Sequence, residues 1–367
     1  MSISYKIIVL GLTLIIGFSM QAQERVSKKI EKTYAMTNAN TLNLDHKYGD
    51  ININGWEKDS IAIVVNIEVT HKKREEADEL LDRIQLSTKM VGELMDISAK
   101  LEDRSSNAFS RYFNKANPID PDKSHINIDY TIYLPKSVTI TLSNKFGDVI
   151  LTDWKGKLSA NIQHGDIWLT NDLTNATIDM KFGKLRSKSI EYGNLILKNA
   201  ELDLKFSKNL IINSSGSTID IEKVISLEID SSKDKVKVLN VESIGGILNF
   251  TDVQLDTVKE TIDLELKVTE LKVLKVVVPQ ANIKIRQESS DINIDITGLA
   301  FKFKAYIEQG VIRIPRSFQN IQTDMVDKRR KLRQISATYG TNPLGKITFT
   351  GEKGNIVLRD NLLEKNN

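Results

Sequence analysis

Aliphatic and polar residues alternate along most of the chain, so that Ile, Val and Leu are separated by Asn, Asp, Lys, Ser or Thr. Segments 61–69 (IAIVVNIEV), 126–134 (INIDYTIYL) and 292–296 (INIDI) show this alternation. A period of two places successive side chains on opposite faces of a strand, so the pattern predicts strands with one buried face. The chain is therefore predicted to be all-β over nearly its whole length.

One segment, residues 71–85 (HKKREEADELLDRIQ), has helical spacing instead. Its apolar residues on one helical stripe are Ala77, Leu80, Leu81 and Ile84. An apolar stripe opposite a charged face is typical of a helix that packs one side on a core. The segment predicts a single surface helix against a sheet.

A short unit recurs along the chain: an aromatic residue, glycine, Asp or Asn, and then alternating aliphatic residues. Its copies are YGDINI (48–53), FGDVIL (146–151), HGDIWL (164–169), FGKLRS (182–187) and YGNLIL (192–197), with weaker copies at 216–221, 289–296, 309–314 and 353–358. Gly147, Gly165 and Gly183 recur at an 18-residue interval, and LSANI (158–162) is followed by ATIDM (176–180) at the same interval. A unit this short buries its apolar side only by stacking on its neighbours. The repeat predicts a β-solenoid, or single-stranded β-helix, in which each turn lies about 4.8 Å beyond the last.

Equivalent residues of successive turns should stack. The two predicted stacks are Val149, Ile167 and Leu185 on the buried face, and Phe146, His164 and Phe182 at one corner. Glycine is expected at the corner because a tight turn needs positive φ. After Gly183 the glycine spacing falls to ten, so residues 195–300 are predicted to be less regular.

Two polar stretches interrupt the pattern and divide the chain. Residues 103–125 are predicted to be a loop, and residues 316–345 a loop insertion with one short helix. We predict an N-terminal β module at 24–135, which carries the helix 71–85, and solenoid repeats at 136–360.

Residues 1–22 have the features of a secretory signal peptide. Lys6 precedes an apolar run at 7–20, and Ala22 offers a small residue for cleavage. An uncleaved N-terminal anchor is the alternative. No later segment is apolar enough to cross a bilayer, so the mature chain is expected to lack a transmembrane span. The expected location is extracytoplasmic: periplasm, outer surface or secreted.

Composition excludes several classes of function. The chain has 51 Lys and Arg against 48 Asp and Glu, a net charge of +3, which lacks the clustered basic surface that nucleic-acid binding requires. There is no cysteine, so neither a disulfide framework nor a lipid-carrying cysteine is available. No phosphate-binding loop, zinc signature or nucleophile motif is present.

The segments YGDINI, YTIYLP (130–135), SNKFGDVIL (143–151) and HGDIWL resemble a family of bacterial exported proteins called putative adhesins. The sequences of that family are similar to those of the putative adhesins that carry a head-GIN domain. The resemblance covers roughly residues 40–300. It implies an extracytoplasmic β-helix with no assigned molecular role, and no catalytic or binding residue is carried over from it.

The aspartates that follow the repeat glycines are the first candidates for chemistry. Stacked carboxylates at Asp50, Asp148 and Asp166 would suit Ca²⁺. The equivalent residue in the next turn is Lys184, which places a cation where a ligand is needed. We therefore expect these side chains to cap turns, and no metal or cofactor is predicted.

Histidines and one basic run are the next candidates. The four histidines are His46, His71, His125 and His164, and no pair has metal-ligand spacing. His164 occupies an aromatic position of the repeat and is expected to stack.

One run of basic residues would suit an anionic polymer or lipid headgroups, or would form a solvated loop. Its members are Lys328, Arg329, Arg330, Lys331 and Arg333.

Trp168 is the one residue for which we predict ligand contact. It lies between Ile167 and Leu169, one residue off the inward register, and should point outward. There it would stack on a sugar ring or a partner, or be covered by a flanking loop or the N-terminal module.

The sequence favours a non-catalytic exported envelope protein, an adhesin-like β-solenoid whose partner is an envelope protein or a glycan. The alternative is a carbohydrate-active β-helix enzyme, a polysaccharide lyase or glycosidase, which would need converging acids or an Arg and Lys set in a cleft. A purely structural or regulatory envelope protein remains open as a third function.

Overall fold

The computed structural model describes residues 24–102 and 125–361, which fold into strands and one helix. The first strands are β1 (Glu24–Ala35), β2 (Thr41–Asp45), β3 (Ile51–Trp56), β4 (Ser60–His71), β5 (Ile84–Val91), β6 (Leu94–Leu101) and β7 (His125–Pro135). They are followed by β8 (Thr139–Asn144), β9 (Val149–Thr152), β10 (Leu158–Gln163), β11 (Ile167–Lys181), β12 (Lys184–Lys198), β13 (Glu201–Ser215), β14 (Thr218–Ser232), β15 (Lys235–Asn249), β16 (Asp252–Lys267), β17 (Glu270–Val273), β18 (Asn282–Glu288) and β19 (Asp291–Asp295). The last are β20 (Phe301–Glu308), β21 (Val311–Arg313), β22 (Gln319–Asp327), β23 (Leu332–Tyr339), β24 (Gly345–Glu352) and β25 (Asn355–Arg359). The all-β prediction is confirmed.

From β8 to β17 each strand pairs in parallel with a strand about one repeat further along the chain. Leu158 of β10 pairs in this way with Ala176 of β11. Leu202 of β13 likewise pairs with Ile219 of β14. We call each repeat of this ladder a rung.

The predicted inward stack is confirmed. Ile167 pairs with Val149 on one side and with Leu185 on the other, and all three side chains are fully buried. Alternate residues of every rung contribute to one continuous apolar core. Each added rung buries the apolar side of the rung before it, which is the physical reason for the repeat.

Positive φ explains the corner glycines only in part. Gly49 and Gly147 do have positive φ, at 121° and 131°. In the next two rungs the left-handed conformation belongs instead to the residue before glycine, with φ of 55° at His164 and 57° at Phe182. A Cβ on Gly165 would collide with the backbone carbonyl oxygen of Gly147 in the neighbouring rung. Glycine is therefore needed here for close approach of two rungs rather than for positive φ.

The prediction of an irregular middle is wrong for residues 201–267. Strands β13, β14, β15 and β16 pair in parallel, each with the next, at an almost constant offset along the chain. The corner residue with positive φ changes type from rung to rung, which hides the period; in order these are Asn199, Gly216, Lys233, Phe250 and Val268. Gly193, which suggested a shorter repeat, lies inside β12 and pairs with Ala176. Beyond residue 268 the offset does change, since Thr261 pairs with Asn282.

The ladder continues across the predicted boundary at residues 135 and 136. Strands β2 and β3 form a rung that pairs in parallel with β8 and β9, joining Thr41 to Thr139 and Ile51 to Val149. On the other side, β2 pairs with β6 and β3 with β7. The unit YGDINI at 48–53 is therefore the direct neighbour of FGDVIL at 146–151.

The predicted helix is present but shorter than residues 71–85. Helix α1 is Arg74–Arg83, with Ala77, Leu80 and Leu81 buried. Ile84 already belongs to β5 and pairs with Leu101 of β6. Because Ile84 is paired in a strand, the helix ends before it. Its side chain is still buried, as part of the sheet. No helix in residues 24–102 or 125–361 is long and apolar enough to cross a membrane.

The prediction of a loop with a short helix at residues 316–345 is wrong. Strands β22 and β23 form an antiparallel hairpin, and β23 pairs with β20, which itself pairs in parallel with β24. Strand β22 is exposed on both faces along almost its whole length, so it has no reason to alternate apolar and polar residues. The hairpin lies at the C-terminal end of the ladder.

Two predictions concern residues outside the described ranges. The predicted loop at 103–125 lies outside them except for His125, which begins β7. The predicted signal peptide lies wholly outside them.

Candidate binding surface

Trp168 points outward from β11, as predicted. It is 38% exposed, while Ile167 and Leu169 on either side are buried. Its neighbours in the parallel ladder are Ile150 of β9 and Arg186 of β12. Parallel pairing places these three side chains in one outward column along the ladder axis.

A shallow groove of about 430 Å³ runs beside the indole. The residues that line it are Trp168, Leu169, Thr170, Arg186, Ser187, Lys188, Asp203 and Lys205. They come from three consecutive rungs, in strands β11, β12 and β13. Their stacking on a rigid ladder gives the groove a fixed geometry, which favours binding because little order has to be gained. We call this set the Trp168 groove.

Arg186 lies over the indole, with its guanidinium carbon 5.2 Å from the centre of the Trp168 ring. This is a cation–π contact. Within the part of the chain that the structure describes, Arg186 has no ion-pair partner. Sequence reasoning missed this pair, although the 18-residue period alone places Arg186 beside Trp168.

The three tryptophans differ in the state of their indole N–H. Trp154 is buried and donates its N–H to the Val138 carbonyl oxygen at 2.9 Å. Trp56 donates to the Ser60 carbonyl oxygen at 2.7 Å. Trp168 has no such acceptor among the described residues, so its N–H remains available to a ligand.

The repeat aspartates connect rungs. The backbone N–H of Asp148 donates to the Asp50 carboxylate, that of Asp166 to Asp148, and that of Lys184 to Asp166, each at 2.8 Å. Each carboxylate therefore caps the turn of the next rung, because it accepts a backbone amide of that turn. This role accounts for the aspartates as structural groups. No cluster of three or more His, Asp or Glu that would suit a metal ion occurs in the described residues.

The aromatic corner is a stack, as predicted. Tyr48, Phe146, His164 and Phe182 follow one another with ring centres 5.4, 5.2 and 4.8 Å apart and nearly parallel planes. The rings cover one another's faces, so most of the column offers only ring edges to a ligand. We interpret it as a stabilising ladder.

His46 and Tyr130 form a second polar feature, which the sequence did not indicate. Their rings meet edge to face at 4.9 Å, and both residues are buried. Burial lowers the pKa of His46 to about 4 and raises that of Tyr130. His46 is therefore neutral at neutral pH and poorly suited to proton transfer there. His46 Nε2 and the Tyr130 hydroxyl have no hydrogen-bond partner among the described residues.

A buried carboxylate at Asp234 also serves structure. It is 5% exposed and accepts hydrogen bonds from Ser214 Oγ at 2.5 Å, Ser231 Oγ at 2.6 Å and the Ser217 backbone N–H at 2.6 Å. These donors come from β13, β14 and the corner between them. Enclosed and fully bonded, this acid has no access to a substrate.

The basic run lies in and beside the turn of the β22–β23 hairpin. Arg330 pairs with Glu308 at 2.6 Å, and Arg333 donates to the Gly310 carbonyl oxygen at 2.7 Å. The Asp327 carboxylate accepts the backbone N–H groups of Arg329 and Arg330. These contacts favour a solvated turn over an anion site.

No protein-family profile and no curated protein matches the chain. Solved structures are similar to it at low identity. A putative cell adhesion protein from Clostridium sporogenes covers 91% of this chain and 100% of its own, with 12% identity and a TM-score of 0.20. A putative lipid binding protein from Parabacteroides distasonis covers 72% and 92%, with 12% identity and a TM-score of 0.31. A putative adhesin from Parabacteroides merdae covers 72% and 90%, with 11% identity and a TM-score of 0.34.

Proposed function

We propose that this chain is a non-catalytic, adhesin-like protein of the bacterial envelope, a β-solenoid that binds a glycan or an envelope protein through the Trp168 groove. Residues 136–360 form the solenoid, and residues 24–135 form an N-terminal β module whose β2 and β3 add a rung to the same ladder. Parallel pairing of Leu158 with Ala176 and of Leu202 with Ile219, one repeat apart each time, supports the winding. Export to the periplasm, outer surface or medium rests on the signal-like residues 1–22.

The proposed binding function rests on the exposure and the contacts of the Trp168 side chain. A large apolar ring is exposed on a rigid strand, its N–H has no acceptor among the described residues, and an arginine without a carboxylate partner lies against it. Aromatic and arginine side chains are the residues that most often dominate binding energy. A ring held this way also loses little conformational freedom when a ligand binds.

The alternative, a carbohydrate-active enzyme, has less support. A lyase or glycosidase needs acids or bases that converge at the reacting bond. In the Trp168 groove the single carboxylate is Asp203, and Lys205 lies 3.6 Å from it. The repeat aspartates and Asp234 already have structural partners.

Trp168→Ala is expected to weaken binding at least about fivefold, because stacking and an aromatic contact contribute about 1 kcal/mol or more. The measurement is a glycan and envelope-fraction panel probed with the mature chain, followed by titration of each hit. Tyr192→Ala is the matched control, since Tyr192 is an exposed aromatic residue of β12 outside the groove. Equal affinity of the wild type and Trp168→Ala for every hit would refute the proposed site.

A further inference from the structure

The lining of the Trp168 groove contains more cations than carboxylates. Its charged lining residues are Arg186, Lys188, Lys205 and Asp203, three cations and one carboxylate. The whole chain, in contrast, is nearly balanced, with 51 basic and 48 acidic side chains. Two further carboxylates, Asp172 and Glu222, lie against the lysines from outside this lining, so the cation that lacks a carboxylate partner among the described residues is Arg186. An unpaired cation at a binding surface favours ligands of the opposite sign.

The two lysines can turn toward a ligand at little cost. Lys188 lies 3.6 Å from Asp172, and Lys205 lies 3.6 Å from Asp203 and 3.8 Å from Glu222, in pairs whose side chains are all well exposed. Exposed ion pairs of this kind contribute between about 0 and 1 kcal/mol. An incoming anion can therefore replace Asp172 or Asp203 as the partner without a large loss.

Arg186 gives the strongest indication. Its guanidinium is held on the face of Trp168 at 5.2 Å and has no ion-pair partner among the described residues. Arginine presents a planar set of donors that matches a carboxylate in two parallel hydrogen bonds. The indole N–H of Trp168 adds a further donor at the same place.

We infer that the Trp168 groove takes an anionic polysaccharide, whose carboxylates pair with Arg186, Lys188 and Lys205 while its sugar rings contact Trp168. This inference rests on the proposed function and adds the chemical class of the ligand. The groove spans strands β11, β12 and β13, which follow one another at about 4.8 Å. An extended polymer therefore meets a cation in successive rungs, whereas a neutral glycan leaves Arg186 without an ionic partner.

The test compares polygalacturonate with its fully methyl-esterified form, which keeps the sugar backbone and removes the charge. We expect the full mature chain to bind polygalacturonate at least about tenfold more tightly than the ester, with an affinity that falls as salt rises. Arg186→Gln should weaken binding of polygalacturonate about tenfold and weaken binding of the ester much less, because the ester offers no carboxylate to the guanidinium. Lys237→Gln is the control, because Lys237 is an exposed cation of β15 outside the groove.

The outcomes separate this inference from the proposed function. Equal binding of both polymers, lost in Trp168→Ala and retained in Arg186→Gln, would overturn the anionic ligand and leave the binding site standing. Equal loss of binding in Arg186→Gln and Lys237→Gln would overturn it as well, since the charge effect would then be non-specific. Failure to bind either polymer, together with a negative glycan and envelope panel, would overturn both.

Discussion

Replacing Ile167 with aspartate is expected to lower the free energy of unfolding by about 4 kcal/mol or more, the range of the most damaging core substitutions. Ile167 is fully buried between Val149 and Leu185, in the middle of the apolar column. The substitution removes a large apolar side chain and places a carboxylate where no partner is available. Urea unfolding followed by tryptophan fluorescence measures the loss, because Trp154 and Trp168 lie on either side of this position in the chain.

Thr177→Asp is the matched control for Ile167→Asp. Thr177 lies on the same strand, β11, but its side chain faces outward and is exposed. The same charge placed there should change the free energy of unfolding by no more than about 0.5 kcal/mol. Similar costs for the two variants would contradict the inward and outward register on which the Trp168 groove depends.

Asp234→Ala is expected to cost about 3 kcal/mol, because each buried donor left without an acceptor costs about 1–3 kcal/mol. The change removes the acceptor of Ser214, Ser231 and the Ser217 backbone N–H in one step. Ser231 also lies 3.1 Å from Thr251 Oγ1 and can recover part of its bonding there. Equilibrium urea unfolding measures the difference from the wild type.

Two further variants test the Asp234 prediction. Asp230→Ala removes an exposed carboxylate from β14 and should be nearly neutral. The triple variant Asp234→Ala, Ser214→Ala, Ser231→Ala should be less destabilised than the separate costs added together, because the orphaned donors are removed with their acceptor. Strict additivity of the three substitutions would contradict a shared hydrogen-bond network.

Much of the ladder could be predicted because the pattern of buried residues repeats at a nearly fixed interval along the chain. The 18-residue interval between Gly147, Gly165 and Gly183 was enough to predict which side chains stack. Glycine does not mark most of the later rungs, because their corner residues include Asn199, Lys233, Phe250 and Val268. The better marker is the aliphatic series of the inward face, since Leu202, Ile219, Val236 and Val253 recur at a constant interval without interruption.

Other features could not be predicted from local pattern. Strand β22 is solvated on both faces, so its hairpin has no hydrophobic period to reveal it. His46 and Tyr130 meet only because the rung formed by β2 and β3 stacks beside β6 and β7, which involves residues far apart in the chain. In contrast, the outward direction of Trp168 can be predicted, because Trp168 lies one residue from the inward-facing Ile167. Its contact with Arg186 can be predicted from the 18-residue repeat.

Binding without turnover is tested most directly by incubating the purified mature chain with polygalacturonate and following both bound polymer and new chain ends. We expect the polymer to bind and to be recovered at its original length, with no release of reducing or unsaturated ends and no effect of EDTA. Time-dependent release of either kind of end, abolished by substitution of a residue in the Trp168 groove, would contradict a non-catalytic binding protein.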